Sequence, residues 1–302
     1  MSTDRQKTPD GLVIVDKPSG FTSHDVVAKM RGIAKTRRVG HAGTLDPMAT
    51  GVLVLGVEKA TKLLGHLALT EKEYLGTIRL GQNTLTDDAE GDLTSSTDAS
   101  AVTREAVDAG IAKLTGDIMQ VPSKVSAIKI DGVRSYKRAR EGEEFEIPAR
   151  PVTISSFQVY DMREAEAADG TKVVDLVVSV VCTSGTYIRA IARDLGADLG
   201  VGGHLTALRR TRVGPYKLDK ARTLDQLQEE LTVMPLAEAA AAAYPRWDLD
   251  EKRARLLGNG VRLEMPDEYP AGRSVAVFGP DGKLLALVES KGGKAKSLAV
   301  FV

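Results

Sequence analysis

The sequence predicts an α+β fold in which helices flank a mixed, largely antiparallel sheet, with a small β-rich domain at the C-terminal end. Segments with strand character at 73–80, 152–160 and 173–181 are not separated by regularly alternating helices. A doubly wound parallel sheet, which needs that alternation, is therefore not expected. After Pro245 the pattern changes to one short basic helix and three short strands, which indicates a separate β-rich unit.

The length of the chain accommodates one large domain and one small one. Its 302 residues are 42% hydrophobic, which is enough for a sizeable core. We expect a disordered tail over residues 1–10, because this segment is polar, mixed in charge and unlike a signal or transit peptide. Residues 11–245 form the expected main domain and residues 248–302 the expected C-terminal domain.

Residue periodicity predicts the individual elements. Ser23 and Thr103 have the character of helix N-caps. Residues 37–51 are glycine-rich without a sustained period and are expected to form a long loop. Strands are expected at 11–16, 51–57, 73–80, 125–130, 152–160 and 173–181, and helices at 58–69, 102–114, 135–141, 186–199, 223–231 and 251–257.

Three further segments connect these elements. Asp131 and Gly132 are typical of a hairpin turn, and residues 167–170 are expected to form a hairpin loop between two strands. The alanine-rich segment 237–243 is compatible with a helix or with a spacer, and the sequence does not distinguish the two.

The composition argues against several classes of protein. No apolar run approaches the ~20 residues that cross a bilayer. The single cysteine, Cys182, cannot form an intramolecular disulfide, and its place at the end of an apolar run favours a small buried hydrophobe over a catalytic thiol. The four histidines lack the spacing of a zinc site. We therefore expect no metal, no membrane and a cytoplasmic location.

Charge is balanced overall but unevenly distributed. The chain has 41 lysines and arginines against 41 acidic residues. Residues 29–38 carry five basic residues and no acid, and residues 202–222 carry six against Asp219 alone. One such run is usually a solvated face. Two runs, each beside a glycine-rich loop, favour phosphate binding, with Arg37, Arg38, Arg209 and Arg210 as the expected contacts.

The densest group of unusual residues lies at 40–51, with the sequence GHAGTLDPMATG. Its glycines permit positive φ or a close backbone approach. Asp46 precedes Pro47, which biases the aspartate to an extended conformation and fixes its direction. The segment can therefore present one carboxylate to a substrate, although an aspartate that caps a turn is the commoner explanation of such a loop. It matches neither phosphate-loop pattern, and no serine–histidine–acid triad can be assembled.

An ordered set of motifs resembles the bacterial TruB family, the tRNA pseudouridine-55 synthases. The resemblance covers roughly residues 12–222. Besides 40–51, it comprises KPSG at 17–20, Tyr74, RLG at 79–81, TLTDDAEG at 84–91, VP at 121–122, SAIK at 126–129, Tyr136, AR at 139–140, SGTYIR at 184–189 and LRR at 208–210. Leu85 departs from the family pattern, where a small or polar residue is expected.

The resemblance implies a pseudouridine synthase fold and an isomerase that acts on uridine 55 in the T-loop of tRNA. The uridine is flipped out, its glycosidic bond is broken, and the base rejoins the ribose through C5. Asp46 matches the catalytic aspartate. Whether it attacks the sugar, attacks the base or removes a ribose proton stays open. The reaction needs no cofactor, and no obligate protein partner is expected.

The resemblance also assigns substrate-binding residues. Tyr74 matches a stacking tyrosine, although a core tyrosine on an alternating strand would look the same. Arg189 would pair with Asp46 and hold it ionised, while Tyr187 and Leu208 would line the pocket. His41 resembles a histidine that fills the space left by the flipped base. Lys17, with Pro18, would support the catalytic loop, with Lys17 placed nearer phosphate.

Two other functions are compatible with the same residues. One is a non-catalytic RNA chaperone or binding module on this fold, and chaperone activity can also coexist with catalysis. The other is a uridine isomerase for ribosomal RNA within a larger complex. The C-terminal segment weakly resembles the family's RNA-binding PUA domain, which implies a role as an acceptor-stem clamp.

Overall fold

The computed structural model describes residues 9–125, 129–130, 133–134 and 147–302. Residues 1–8 of the predicted tail, residues 126–128 of the strand predicted at 125–130, the turn at 131–132 and the helix at 135–141 lie outside the described residues. The motif residues at 126–128, Tyr136 and 139–140 lie outside them as well.

The described part of the chain forms strands, α-helices and two short 3-10 helices (Glu58–Leu63 and Leu218–Lys220). The helices are α1 (Ser23–Ile33), α2 (Leu64–Leu67), α3 (Arg104–Lys113), α4 (Ile188–Asp198), α5 (Leu224–Glu229), α6 (Leu236–Ala243) and α7 (Glu251–Gly258). The strands are β1 (Gly11–Lys17), β2 (Val39–His41), β3 (Thr50–Val57), β4 (Lys72–Leu80), β5 (Gln82–Thr84), β6 (Leu93–Ser96), β7 (Gly116–Gln120), β8 (Lys129–Ile130), β9 (Val133–Arg134), β10 (Arg150–Glu166), β11 (Lys172–Cys182), β12 (Gly203–Val213), β13 (Tyr216–Lys217), β14 (Met234–Pro235), β15 (Arg246–Asp248), β16 (Ser274–Phe278), β17 (Leu284–Lys291) and β18 (Lys294–Val300).

One large sheet organises the molecule. Its strands follow the order β14-β1-β3-β12-β4-β11-β10-β7, with β2 beside β3 and β13 beside β12. The pairings are antiparallel except between β12 and β3, which run parallel. The predicted mixed, largely antiparallel sheet with flanking helices is therefore confirmed. The alanine-rich segment resolves as a helix, α6.

The middle of the sheet is covered on both faces, and this explains the continuous apolar run in β3. Val52 and Val54 pack into one core, whereas Leu53 and Leu55 point to the opposite face and pack into another. Successive side chains of a strand alternate between faces, so a strand buried on both sides is apolar throughout. The burial of β3 holds the chain that leads out of the segment 42–49 in a fixed position.

The strand β12 is not predicted by its own sequence. That sequence, GHLTALRRTRV, is rich in arginine and threonine and lacks an apolar alternation, so it indicates a basic run rather than a strand. In the structure it occupies the sheet between β3 and β4. Hydrogen-bonded partners on both sides, rather than apolar character, specify this strand.

Several predicted boundaries are corrected. Thr22, not Ser23, caps α1, because its side chain accepts from the Asp25 N–H in a capping box. The expected loop at 37–51 contains the strand β2, and the helix expected at 58–69 divides into a 3-10 turn and α2. Asp10 does not belong to a disordered tail, since its carboxylate accepts a bond from the Lys59 N–H at 2.9 Å.

A second, four-stranded sheet lies at the C-terminal end, in the order β15-β16-β17-β18. Phe278 and Leu287 of this sheet share a buried cluster with Ile14 and Val52 of the large sheet. The amine of Lys59 also donates to the Phe301 carbonyl at 2.7 Å. A small β-rich C-terminal unit is thus present as expected, and it is packed against the large sheet.

Gly51 provides a test of how closely the central strands approach each other. It has φ of +99°, and a Cβ atom there would lie 2.2 Å from the Arg210 carbonyl oxygen. Gly51→Ala should therefore destabilise the protein by about 1–3 kcal/mol beyond the cost of the unfavourable φ alone. Urea unfolding measures this loss.

Gly170→Ala is the matched control, since Gly170 has φ of +83° and a Cβ atom there would meet no heavy atom within 4 Å. Equal losses for the two variants would show that the approach of β3 to β12 does not require glycine.

Candidate active site

The segment 42–49, here called the catalytic loop, connects β2 to β3 and carries Asp46. Two neighbouring elements hold it. The Ser23 hydroxyl of α1 accepts from the Leu45 N–H at 2.9 Å and donates to the Leu45 carbonyl at 3.2 Å. The Lys17 amine at the end of β1 donates to the Pro47 carbonyl at 3.0 Å. The residues on both sides of Asp46 are therefore fixed to the body of the fold.

Lys17 does not reach the substrate side of this loop. It is 0% exposed, and its amine also donates to the carbonyls of Pro18 at 2.9 Å and Phe21 at 2.5 Å. Three acceptors use all three N–H groups of the ammonium. Desolvation lowers the pKa of Lys17 to about 8. The prediction that Lys17 binds substrate is therefore corrected: it supports the loop, as the accompanying interpretation expected.

Asp46 pairs with Arg189 of α4. Arg189 Nε lies 3.0 Å from Asp46 Oδ2, and Nη2 lies 3.5 Å from Oδ1. The arginine side chain is 7% exposed, whereas the aspartate side chain is 34% exposed. A buried cation thus holds a carboxylate that remains open on one side. Charge-assisted contacts of this type fix the direction of the carboxylate.

The rest of the Arg189 guanidinium is held by two other segments. Nη1 donates to the Thr86 carbonyl at 2.8 Å and lies 3.3 Å from Asp88 Oδ2. Nη2 donates to the Val125 carbonyl at 3.1 Å. The side chain of Asp88 is 3% exposed. Arg189 therefore connects three parts of the chain: the catalytic loop, the segment 84–91 and Val125, which follows β7.

Asp88 is a site residue that sequence reasoning missed, because 81–92 has the character of a polar, acidic connection. The structure shows that its carboxylate accepts from the Glu90 N–H at 3.0 Å, while the Thr84 hydroxyl donates to its carbonyl at 2.6 Å. Arg193, one turn after Arg189, pairs with the adjacent Asp87 at 3.2 Å. Two adjacent acids facing an i, i+4 arginine pair are a signal that could have identified this contact.

A cavity of about 250 Å³ opens beside Asp46. Tyr74, Tyr187, Arg189 and Leu208 all line it together with Asp46. Pockets for drug-sized ligands span roughly 300–1,000 Å³, so this one suits a single small ring. Five of the seven predicted site residues are therefore brought together in one cavity.

Local contacts fix the aromatic walls of this cavity. Tyr74 is 7% exposed on β4, and burial raises the pKa of its hydroxyl, which therefore stays protonated at neutral pH. Tyr187 precedes α4, and its backbone exchanges two hydrogen bonds with the amide of Gln120, at 2.8 and 3.1 Å. Burial thus holds the Tyr74 ring, and Gln120 fixes the backbone that carries the Tyr187 ring.

His41 lies outside the residues that line the cavity. It ends β2, immediately before the catalytic loop, and its ring stands edge to face against His24 with centroids 5.6 Å apart. Partial burial, with a smaller contribution from His24, lowers the pKa of His41, so that its imidazole is neutral near pH 7.

Two arginines of the second basic run, Arg209 and Arg210, are already engaged within the protein. Arg210 is 0% exposed, and its guanidinium donates to the carbonyls of Val52 at 2.7 Å, Thr44 at 3.2 Å and Gly43 at 3.3 Å. Arg209 pairs with Asp16 at 2.7 Å. The expectation that Arg210 contacts phosphate is therefore wrong, and the charge of Arg209 is matched by an acid.

Two buried cations also line the cavity, and sequence reasoning assigned neither of them to the site. Arg210 is one. Lys72 at the start of β4 is the other, and its amine donates to the carbonyls of Ala68 at 2.7 Å and Thr70 at 2.8 Å. Desolvation, reinforced by the charge of Arg210, lowers the pKa of Lys72 to about 8. A lone lysine in a strand gives no signal at the level of sequence.

The environment of the single cysteine fits the expectation from the sequence. Cys182 is buried, and its burial raises the pKa of the thiol to about 11, in keeping with the predicted small hydrophobe. Across the described ranges, no three His, Cys, Asp or Glu side chains are placed to hold a metal ion. No helix in the described part of the chain is long and apolar enough to cross a membrane.

Comparisons with known proteins agree on one family. The N-terminal domain of TruB family pseudouridylate synthase matches residues 31–188. The tRNA pseudouridylate synthase B C-terminal domain matches residues 189–243, and the C-terminal model of tRNA pseudouridine synthase II matches residues 244–302.

Curated relatives are similar along the whole chain. A Streptomyces avermitilis protein named tRNA pseudouridine synthase B is 85% identical over 299 residues, which cover 99% of both chains. A protein of the same name from Thermobifida fusca is 59% identical over 294 residues, covering 97% of this chain and 98% of the relative.

Solved structures share the fold. A chain in a Cbf5-Nop10-Gar1 complex is 26% identical with a TM-score of 0.73, and the match covers 98% of this chain and 86% of that one. A chain of an H/ACA RNP bound to a substrate RNA containing 2′-deoxyuridine is 24% identical with a TM-score of 0.72, over 97% of this chain and 85% of that one. The second likeness concerns the fold alone.

The contact between Asp88 and Arg189 generates a prediction about catalysis. Asp88→Asn removes one buried charge that orients the guanidinium, and a misplacement of about 1 Å in a site can cost roughly 10²-fold in rate. We expect turnover to fall by about that factor while the protein remains folded. Single-turnover kinetics with a circular dichroism check measure both.

Asp108→Asn is the control, because Asp108 pairs with Arg104 at 2.9 Å on the exposed face of α3. A rate for Asp88→Asn equal to that of the control would show that Asp46 does not depend on how Arg189 is held.

Proposed function

The chain belongs to the TruB family of pseudouridylate synthases and isomerises uridine in tRNA to pseudouridine, and from this premise we propose that its target is uridine 55 in the T-loop, with Asp46 as the catalytic carboxylate. The observation that carries the proposal is the lining of the cavity. Among the described residues that surround it, Asp46 is the one acidic side chain. It is also the one whose neighbours on both sides are tied to β1 and α1.

The reaction moves one bond and one proton within the nucleotide. The bond between N1 of uracil and C1′ of ribose breaks, and the electron pair leaves with the base. After the base turns, a bond forms between C5 and C1′. The hydrogen on C5 is lost and N1 gains a proton, so atoms and charge balance without an external reagent. Asp46 takes part in the reaction in one of three ways: it attacks C1′, it attacks the base, or it removes a ribose proton.

The cavity walls support placement of a flipped base. Tyr74, Tyr187 and Leu208 offer aromatic and apolar surface beside Asp46. Base–aromatic stacking contributes roughly 1–3 kcal/mol per base, which offsets part of the cost of taking the uridine out of its stack. His41 stands next to the catalytic loop but outside the cavity. There its neutral ring can occupy the gap that the uridine leaves in the RNA loop.

The T-loop target predicts a specific product. Purified protein incubated with an unmodified tRNA transcript should place pseudouridine at position 55, without an added nucleotide cofactor and in the presence of a zinc chelator. Carbodiimide-dependent reverse-transcription stops locate the product. A transcript with cytidine at position 55 is the control and should give no stop.

A stop at another position, or in ribosomal RNA only, would contradict the T-loop assignment. Product in neither RNA would instead favour the chaperone interpretation.

The first basic run, residues 29–38, offers positive charge along a path by which the tRNA backbone can reach this site. Arg38 is partly neutralised by Glu58 at 3.5 Å. In contrast, Arg31, Lys35 and Arg37 line a shallow depression at the end of α1, and no described carboxylate pairs with them. Arg37 lies two residues before β2, which ends at His41, so the two residues are separated by at most roughly 13 Å at about 3.3 Å per residue. A phosphate backbone that passes His41 can therefore continue over this depression.

This arrangement predicts how salt affects binding. Each phosphate neutralised by a basic residue releases counterions, so Arg37→Gln should weaken tRNA affinity and lower the log–log salt slope by about one. Position 55 should remain the modified site. Filter binding over a series of salt concentrations measures both quantities.

Arg104→Gln is the charge-matched control, because Arg104 is already paired with Asp108. Identical slopes for Arg37→Gln, Arg104→Gln and the unmodified protein would reject this path for the backbone.

We also propose, from the sequence, that the protein acts in the cytoplasm without a metal, a cofactor or an obligate protein partner. A single buried cysteine fits a reducing compartment. The reaction described above requires no group that the side chains of the cavity and the substrate do not supply.

A further inference from the structure

The cavity beside Asp46 contains two buried cations whose charges are not matched by acids. Lys72 is 6% exposed and Arg210 is 0% exposed, and both line the cavity. In the ranges that the structure covers, neither forms a salt bridge with a carboxylate, and their donors reach only uncharged acceptors. Burial of an unpaired charge is costly, so folding stability does not explain this pair of cations.

Lys72 is placed to act on a ligand. Its ammonium has three N–H groups, and the described hydrogen bonds to Ala68 and Thr70 use two of them. Its Cε lies 3.6 Å from the position that a Cβ on Gly43 would occupy, so the side chain passes against the catalytic loop. One N–H of a positively charged group therefore remains beside the cavity that holds Asp46.

The reaction needs a positive group at this place. If Asp46 attacks C1′, or if it removes a ribose proton, uracil leaves as an anion. If Asp46 attacks the base, negative charge moves onto a carbonyl oxygen of the ring. In all three routes, charge develops on the uracil and not on the carboxylate, which loses charge as it reacts. Preorganised donors directed at developing charge are a major source of catalysis.

We propose that Lys72 is a further catalytic residue, whose ammonium donates a hydrogen bond to a carbonyl oxygen of the uracil as negative charge develops there. Arg210, on the adjacent strand β12, contributes positive potential from a fixed position. This assignment rests on the proposed placement of the uracil in the cavity. It applies equally to the three possible roles of Asp46.

The pH dependence of the reaction follows from the surroundings of Lys72. Arg210 acts on it from β12 and Cys182 from β11. Asp46 lines the same cavity from the catalytic loop, and Tyr74 lies on the same strand. The thiol and the phenol both stay protonated through neutral pH, because burial raises the pKa of each. With its own pKa lowered to about 8, Lys72 loses its proton as the pH rises through that value. The chemical step should then slow above pH 8.

Two substitutions test the proposal. Lys72→Met keeps the length of the side chain and removes the charge, whereas Lys72→Arg keeps a charge that does not titrate below pH 10. Lys113→Met is the control, since Lys113 pairs with Asp198 at 2.8 Å on the surface. Single-turnover formation of pseudouridine is measured from pH 6.5 to 9.5 with enzyme in excess, alongside tRNA affinity and thermal unfolding.

Lys72→Met should react about 10²-fold more slowly at pH 7, with tRNA affinity within about threefold of the unmodified protein, which corresponds to less than 1 kcal/mol. Lys72→Arg should recover part of the rate and should lose the decline above pH 8. The unmodified protein is tested first: if it makes no product at position 55, the proposed function fails and not the role of Lys72.

Three results would overturn the proposal. The first is a rate for folded Lys72→Met equal to that of Lys113→Met. The second is an equal loss of rate in Lys72→Met and Lys72→Arg, with the decline above pH 8 retained in both, which would make Lys72 a support for the turn at 68–70. The third applies if Lys72→Met does not fold: the unmodified protein then decides, because a rate that does not decline above pH 8 contradicts a catalytic ammonium.

Discussion

The buried guanidinium of Arg189 is the interaction on which the site depends. A guanidinium stays charged in a protein and offers five N–H donors in a rigid plane, so its acceptors must be in place once it is buried. Here they come from Asp46, from Thr86 and Asp88, and from Val125. These segments are far apart in sequence, and only the completed sheet brings them together. The orientation of Asp46 is therefore a property of the whole fold.

Opposite this ion pair, the fold places charge where the reaction can use it. Lys17 and Arg210 bind carbonyls of the catalytic loop, and Lys72 packs against it. Lys17 and Arg210 thereby support the backbone around Asp46, and Lys72 and Arg210 give the wall of the cavity a positive charge. Arg189 holds the carboxylate, while Lys72 and Arg210 face the space beside it. Burial of these charges costs free energy of folding. It also places positive groups where the proposed reaction moves negative charge from a carboxylate to a base.

Local sequence determines much of this arrangement. Asp46 stands before Pro47 in a glycine-bounded loop, which indicated a directed carboxylate, and the resemblance to TruB proteins distinguished a catalytic role from a turn cap. The motifs resembling TruB proteins added Tyr74, Tyr187, Arg189 and Leu208, and all four line one cavity with Asp46. Apolar runs and the alternation of apolar and polar residues located β3, β4 and β11, because the residues of each strand reflect which of its faces are buried.

Long-range pairing explains what could not be predicted. β12 is central yet rich in arginine, because Asp16, Glu71 and backbone carbonyls of other segments neutralise or accept its basic side chains. The same run therefore resembles a surface for phosphate until the partners are known. Asp88 lies in a segment without periodicity, and the burial of Lys17 follows from a carbonyl at Pro47 that lies 30 residues away. The acceptors that define these roles lie in other parts of the chain.

In this site the charge of Asp46 is proposed to perform the chemistry while other contacts bind the RNA. Asp46→Asn preserves the shape of the side chain and removes its charge, so its single-turnover kinetics with tRNA, measured in parallel with its tRNA affinity, separate the two roles. We expect no detectable pseudouridine at position 55, with tRNA affinity within about threefold of that of the unmodified protein, a difference below 1 kcal/mol. Product formation at a comparable rate by Asp46→Asn, free of the unmodified enzyme, would contradict it.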